Sequence, residues 1–240
     1  MVSKSQIKLI TSLGQKKYRQ KNGLFVAEGI KVIRELLNSD FQLEKLFASE
    51  AIFDVSEDQF ILAEERELKK ISFLKTPQTA LALFKIPQQN LGILDDLTVV
   101  LDGVRDPGNL GTIIRLCDWF GVKNLVCSQD TVDCFNPKVI QSTMGSITRV
   151  NVIYKNLANF LQSQDLVIYG TFMEGENVYQ KKLQQKAVLV MGNEANGISP
   201  EIEKLISEKI SIPQFGQSQE TESLNVATAT AIFLSEFRRN

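Results

Sequence analysis

The chain has 240 residues, 43% of them hydrophobic, with 27 Lys and Arg against 28 Asp and Glu. That is enough for one large domain or two smaller ones with a substantial core. No apolar run approaches the ~20 residues of a membrane helix, and the opening MVSKSQIKLITS lacks the apolar stretch of a signal peptide, so the chain reads as cytoplasmic with no membrane attachment. There is no histidine and there are 3 cysteines. Ser-His and Cys-His nucleophile systems and His-based zinc sites are excluded, and an odd number of cysteines without metal-type spacing argues against a disulfide framework.

Residues 1–27 carry Lys4, Lys8, Lys16, Lys17, Arg19 and Lys21 and no acid, whereas residues 91–240 lean acidic. That asymmetry fits a basic arm meeting a polyanion, and equally a solvated helix face. Ser5–Arg19 reads as a helix with Ile7, Ile10 and Leu13 inside. A strand at Leu24–Gly29, a helix at Ile30–Leu37 and a strand at Lys45–Ser49 follow. A short strand and helix within FDVSEDQFILAEERELKKIS and a strand within Thr76–Pro87 complete a small α/β unit. Pro87–Asp96, rich in Pro, Gly and polar residues, is the linker candidate. It divides the chain into domains 1–92 and 93–240.

Beyond it, strands and helices alternate. TVVLD leads to a helix over Asn109–Phe120 with Asn109 as N-cap, then come a strand at Asn124–Ser128, a helix at Pro137–Thr143, a strand at Arg149–Ile153 and a helix at Asn156–Ser163. LVIYGTF, AVLVMG and KISIP read as further strands, and a last helix starts near Ser223. Such alternation predicts an α/β fold, a mostly parallel sheet with helices on both faces. Ligands then sit beyond the carboxyl ends of strands, which directs attention to the loops after Leu101, Met191 and Pro213. Gly103, Gly108 and Gly111 lack the dinucleotide-binding spacing, and no Gly-Lys-Ser/Thr follows a strand, which disfavours a metabolic enzyme on a nucleotide-type fold. Gly108, Gly111 and Arg115 share one helical stripe, which leaves the guanidinium open to approach.

Three segments, Asn109–Arg115 (NLGTIIR), Gly192–Gly197 (GNEANG) and Ile212–Pro213 followed by Ser223–Val226 (SLNV), resemble motifs one, two and three of the SpoU-type RNA ribose methyltransferases of the SPOUT superfamily. Lys17-Tyr18-Arg19 with FVAEGIKVIREL is similar to that family's N-terminal substrate-binding domain, a small ribosomal-protein-like α/β fold. DCFNPKVIQSTMGSITRV resembles the stretch between motifs one and two. The resemblance implies a trefoil knot, which general rules of chain connection would never propose. It also implies S-adenosylmethionine as cofactor, ribosomal or transfer RNA as substrate, and a homodimer with its active site near the subunit interface.

By motif position Gly192, Ile212 and Leu224 hold the cofactor, with Asn193 and Gly197 in the motif-two loop. Asn109, Arg115, Glu194, Ser223 and Asn225 match the polar active-site positions, and Lys16, Lys17, Arg19 and Lys21 supply RNA affinity. Glu194 has an equal alternative in capping its own loop, and Ser223 one in capping the last helix, whereas Asn225 is harder to explain structurally. Gln141 stands where many relatives have Arg, and Gln214 where Met is common. The competing function is a non-catalytic RNA-binding or ribosome-assembly module, against which the intact polar positions argue. Methyl transfer to a 2′-hydroxyl is an in-line displacement, and a guanidinium stays protonated below pH ~12, so Arg115 is expected to stabilise the developing alkoxide electrostatically.

Overall fold

The structure is a computed structural model that describes residues 1–88, 94, 96–216 and 223–239. Its elements in chain order are α1 (Lys4–Ser12), α2 (Lys16–Asn22), β1 (Leu24–Glu28), α3 (Ile30–Leu37), β2 (Leu43–Ala48), β3 (Phe60–Leu62), α4 (Glu65–Ile71) and β4 (Ala80–Lys85). There follow β5 (Thr98–Leu101), α5 (Pro107–Trp119), β6 (Asn124–Cys127), α6 (Pro137–Thr143), β7 (Asn151–Tyr154), α7 (Leu157–Gln162), β8 (Val167–Asn177), β9 (Ala187–Met191), α8 (Pro200–Glu203), β10 (Glu208–Ser211) and α9 (Val226–Arg238). These fall into two compact units. The first is Met1–Gln88 together with Asp133–Thr148, and the second is Gln89–Val132 together with Arg149–Asn240. The expected boundary after residue 92 lies outside the described residues. A single cut there does not provide for Asp133–Thr148, which packs with the first unit.

In the first unit a four-stranded sheet runs β1-β4-β2-β3, over a core that includes Ile10, Leu13, Val26, Phe47, Leu68 and Leu83. The expected single helix over Ser5–Arg19 is two helices. Gly14 lies at the break, where a Cβ would stand 2.8 Å from the Phe73 ring. Arg19 Nη1 donates to the Leu13 and Gly14 carbonyls at 2.8 and 3.0 Å, which satisfies acceptors that the end of α1 leaves open. Nε of the same guanidinium donates to Asp133 Oδ2 at 2.8 Å, and Nη2 pairs with it too.

Arg19 is 1% exposed, which corrects the expectation that it contacts RNA: its donors are used inside the protein. Lys16, Lys17 and Lys21 stay exposed. Phe135 packs on Phe25 with centroids 4.8 Å apart. Gly145, at φ 99°, lets Glu35 Cγ come within 2.6 Å of where a Cβ would be. An ion pair, a ring contact and a close approach thus fasten the 133–148 segment to its unit.

The second unit is built on six parallel strands in the order β10-β8-β9-β5-β6-β7. β5 and β9 are buried along their whole lengths, as strands covered on both faces must be. On one face α7 and α8 set Leu157, Leu161 and Ile202 against Val100, Val126, Val188 and Val190. On the other, Phe237 of α9 meets Tyr169 edge-on with centroids 5.4 Å apart, and α9 packs against α5. The α/β class with a parallel sheet is therefore as the sequence predicts. The carboxyl ends of β5, β9 and β10 deliver the loops that carry the motifs.

Candidate active site

The site begins at the N-terminus of α5. Pro107 occupies the first helical turn, where its missing N–H costs nothing, and Asp106 is the N-cap, its Oδ1 accepting from Asn109 N at 2.8 Å. Asn109 is therefore not the cap that its residue type suggests. Gly108 has a packing reason: a Cβ there would stand 2.9 Å from the capping Asp106 carboxylate.

Freed from capping, the Asn109 side chain joins a chain of polar contacts. Its Nδ2 donates to Glu194 Oε1 at 3.0 Å, and its Oδ1 accepts from Asn225 Nδ2 at 2.9 Å. Asn225 Oδ1 in turn accepts from Ala227 N and Thr228 N at 3.0 and 3.2 Å, which makes Asn225, not Ser223, the N-cap of α9. The residue that was hard to explain structurally thus caps a helix and reaches across to α5. Glu194 also accepts from Arg105 N and Asp106 N, each at a long 3.4 Å. Its carboxylate lies at the positive end of α5, where a negative charge is favoured.

Bracing of the motif-two loop falls to Asn193 rather than Glu194. Asn193 Oδ1 accepts from Ala195 N and Asn196 N, and Nδ2 donates to Gly103 O at 2.6 Å. Asn193 and Gly197 exchange backbone hydrogen bonds, with Gly197 at φ 67°. A Cβ on Gly192 would lie 2.3 Å from the Gly197 carbonyl carbon. The clash is with the loop's own backbone, so this glycine is required before any ligand is considered.

A cavity of about 1190 Å³ opens beside this loop. Gly192, Asn193, Gly197, Ile212 and Leu224 all border it, together with Glu194 and Ser223. Asn109, Arg115 and Asn225 do not border it, and Glu194 links the cavity to their side. Arg115 stands exposed on α5, and its guanidinium makes no hydrogen bond or ion pair among the described residues. No ion pair ties it to the nearby acids: Asp102 Oδ2 accepts from Ser199 N at 2.7 Å, and Asp106 Oδ1 caps α5. Gln141 lies in α6 of the first unit, with Oε1 buried and without a hydrogen-bond partner. Two cavity residues, Met173 and Phe215, were not singled out from sequence. The available signal was an aromatic residue in an otherwise polar loop just after Ile212-Pro213.

Residues 96–235 match the SpoU rRNA methylase family model, and residues 4–82 match the MRM3-like substrate binding domain. The first match spans more than half of the chain, which belongs to the SpoU rRNA methylase family. Among curated relatives, a 23S rRNA guanosine 2′-O-methyltransferase of Bacillus subtilis is 30% identical over 94% of this chain and 93% of its own. Among solved structures, one described as a TrmH-family RNA methyltransferase from Porphyromonas gingivalis superposes with TM-score 0.91 at 38% identity, covering 100% of this chain and 99% of the other. An AdoMet-bound rRNA methyltransferase from Sinorhizobium meliloti superposes with TM-score 0.84 at 28% identity, covering 100% and 97%.

Proposed function

We propose that the chain transfers the methyl group of S-adenosylmethionine to a ribose 2′-hydroxyl of ribosomal RNA. The observation that carries this reading is the convergence of Gly192, Asn193, Gly197, Ile212 and Leu224 on one cavity, with Glu194 at the border between that cavity and the Asn109–Asn225 pair. The residues present fit the cofactor. The cavity is as large as small-molecule sites of ~300–1,000 Å³ require, its strand ends come close because Gly192 has no side chain, and the Glu194 carboxylate suits a cation. S-adenosylmethionine supplies an electrophilic methyl group on a positively charged sulfur.

The chain's own residues do the rest. Arg115, unpaired and exposed, holds the 2′-oxygen and stabilises the negative charge that develops on it as its proton passes to solvent water. Asn109 has both side-chain groups engaged, so it positions its surroundings rather than reacting. Lys16, Lys17 and Lys21 supply non-specific attraction for the RNA backbone.

The protein acts as a homodimer. Trp119, 84% exposed on the same outward face of α5 as Arg115, supports a surface that a second copy covers. A trefoil knot, with the C-terminal segment threaded through a loop, and a cytoplasmic location complete the reading. In its support, no helix among the described residues is long and apolar enough to cross a membrane.

The experiment is methyl transfer from isotope-labelled S-adenosylmethionine to ribosomal RNA by the purified protein, followed by nuclease digestion and mass spectrometry of the nucleosides. A labelled 2′-O-methylnucleoside is expected. Label on a base, or none with a protein that binds RNA, contradicts the reading in favour of a different acceptor or a non-catalytic module.

A further inference from the structure

Arg105 lies in the loop between β5 and α5, immediately before the capping Asp106. Its side chain is 70% exposed, and its one polar side-chain contact among the described residues is long, Nη2 to Asp130 Oδ2 at 3.5 Å. A charge-assisted pair of full strength measures ~2.7–2.9 Å, and an exposed pair as long as this one adds little to stability. The loop is fastened through its backbone instead, where Arg105 N and Asp106 N donate to Glu194. The guanidinium therefore stands at the surface with most of its donors unspent.

Asp130, by contrast, is anchored. Its Oδ1 accepts from Ser128 Oγ at 2.6 Å, and that hydroxyl accepts from Gly103 N at 2.9 Å. Gly103 sits at φ 77°, and a Cβ there would stand 3.2 Å from Asp130 Oδ2, so the loop passes close to the carboxylate. The Ser128 hydrogen bond, ahead of the contact with Arg105, holds the Asp130 carboxyl below its ordinary range. A fixed, ionised carboxylate thus keeps hold of the guanidinium by one weak bond.

The surrounding charge says what such an arrangement suits. Asp106, Asp130 and Glu194 place three carboxylates around the start of α5, and Glu194 is bonded to Asn109. An RNA strand whose ribose reaches Asn109 and Arg115 passes these carboxylates, which repel its phosphates. Arg105 is the cation among them. It does not border the cavity, so an acidic group of the cofactor is not its partner.

We infer that Arg105 binds a backbone phosphate of the acceptor RNA beside the ribose that is methylated, exchanging its long bond to Asp130 for a two-pronged one to the phosphate. It is a substrate-positioning residue, and this rests on the RNA reading above.

The test is filter binding of ribosomal RNA by the full chain over a salt series, with melting temperature, S-adenosylhomocysteine affinity and single-turnover methyl transfer measured on the same proteins. Arg105→Ala is expected to weaken RNA binding by roughly fivefold and to lower the slope of log affinity against log salt by about one. Melting temperature, S-adenosylhomocysteine affinity and the single-turnover rate at saturating RNA should hold, because the contact places the strand without touching the reacting atoms. Arg105→Lys, which keeps the charge, should keep the slope. Asp130→Asn retains an acceptor for Ser128 and removes the competitor for the guanidinium, so RNA should bind about twofold tighter. A merely structural pair predicts instead that Arg105→Ala and Asp130→Asn both lower the melting temperature and that neither tightens RNA binding. That result overturns the inference, and so does an unchanged salt slope in a folded Arg105→Ala protein. A wild-type protein without affinity for ribosomal RNA is a separate outcome that overturns the RNA reading and this contact with it.

Discussion

Asn225 donates from Nδ2 to Asn109 Oδ1 at 2.9 Å, so the N-terminal ends of α5 and α9 meet through two side-chain amides, with Glu194 on the far side of Asn109. The same Asn225 caps α9, and the two jobs separate by substitution. Asn225→Ala loses the cap, at about 1 kcal/mol, and releases Asn109. Asn225→Ser keeps a capping oxygen but is too short to donate to Asn109. We expect Asn225→Ser to match wild-type thermal stability while its methyl-transfer rate falls as far as that of Asn225→Ala. The pair Asn109→Ala and Asn225→Ala should be non-additive in rate, because either change undoes the same contact. Wild-type turnover in Asn225→Ser would detach this contact from the chemistry.

Gly192 tolerates no side chain on steric grounds that precede ligand binding, since its Cβ would lie within 2.4 Å of Ile198 N. Gly192→Ala should force the 193–197 loop to rebuild and abolish S-adenosylhomocysteine binding in a protein that remains folded, and Gly192→Val should do the same. Calorimetry and circular dichroism on one sample check this. Near-wild-type affinity in Gly192→Ala would mean that the loop relaxes freely.

The basic residues of α2 divide by burial. Arg19→Ala removes one partner of a buried ion pair with Asp133 and leaves two carbonyls unpaired, which should cost about 3–5 kcal/mol in urea denaturation. Neutralising Lys16, Lys17 and Lys21 together should leave stability within about 0.5 kcal/mol while weakening RNA binding and flattening its salt dependence. A stable Arg19→Ala protein with weakened RNA binding would reverse that division.

Near the end of α9, Arg238 donates to the Phe120 carbonyl at 2.9 Å and to both Asp96 carboxylate oxygens at 3.1 Å. The Arg238 hydrogen bond, before any other favourable contact, holds the Asp96 carboxyl below its ordinary range. A depressed folded-state pKa contributes stability above the unfolded value of ~3.9, and that contribution is lost as pH falls through the folded value. Arg238→Ala should therefore destabilise the protein at pH 7, and the gap to wild type should narrow, without closing, as the pH falls below the ordinary carboxylate range and through the depressed folded-state value. The bonds to backbone carbonyls do not titrate and keep the remainder. A gap independent of pH would show that Asp96 contributes nothing.

The strands were legible because β5, β9 and their neighbours are apolar on both faces, a pattern that survives without knowledge of partners. Helix starts were less so. Asp106 and Asn109, like Ser223 and Asn225, are all competent caps, and local sequence does not rank them; Pro107 settles the first case, and the reach of Asn225 to its own turn and to Asn109 settles the second. Arg19 was read as surface charge because its partner Asp133 is 114 residues away. Met173 was invisible for a similar reason: its exposure follows from a register shift between β8 and β10 that neither strand encodes alone. The cavity residues were found from sequence only because the motifs resemble a family's, since Gly192 and Ile212 carry no reactive group of their own.

If Arg115 acts on the 2′-hydroxyl as proposed, single-turnover methyl transfer by Arg115→Ala is the step that reveals it. The guanidinium has no partner among the described residues, so its loss should leave melting temperature and S-adenosylhomocysteine affinity near wild type while the rate falls by about 10²–10³, the cost of removing one group that stabilises a developing oxyanion. Arg115→Lys should recover little, because an ammonium lacks the planar fork that holds two oxygens. A folded, cofactor-binding Arg115→Ala protein that methylates ribose at close to the wild-type rate would contradict the account.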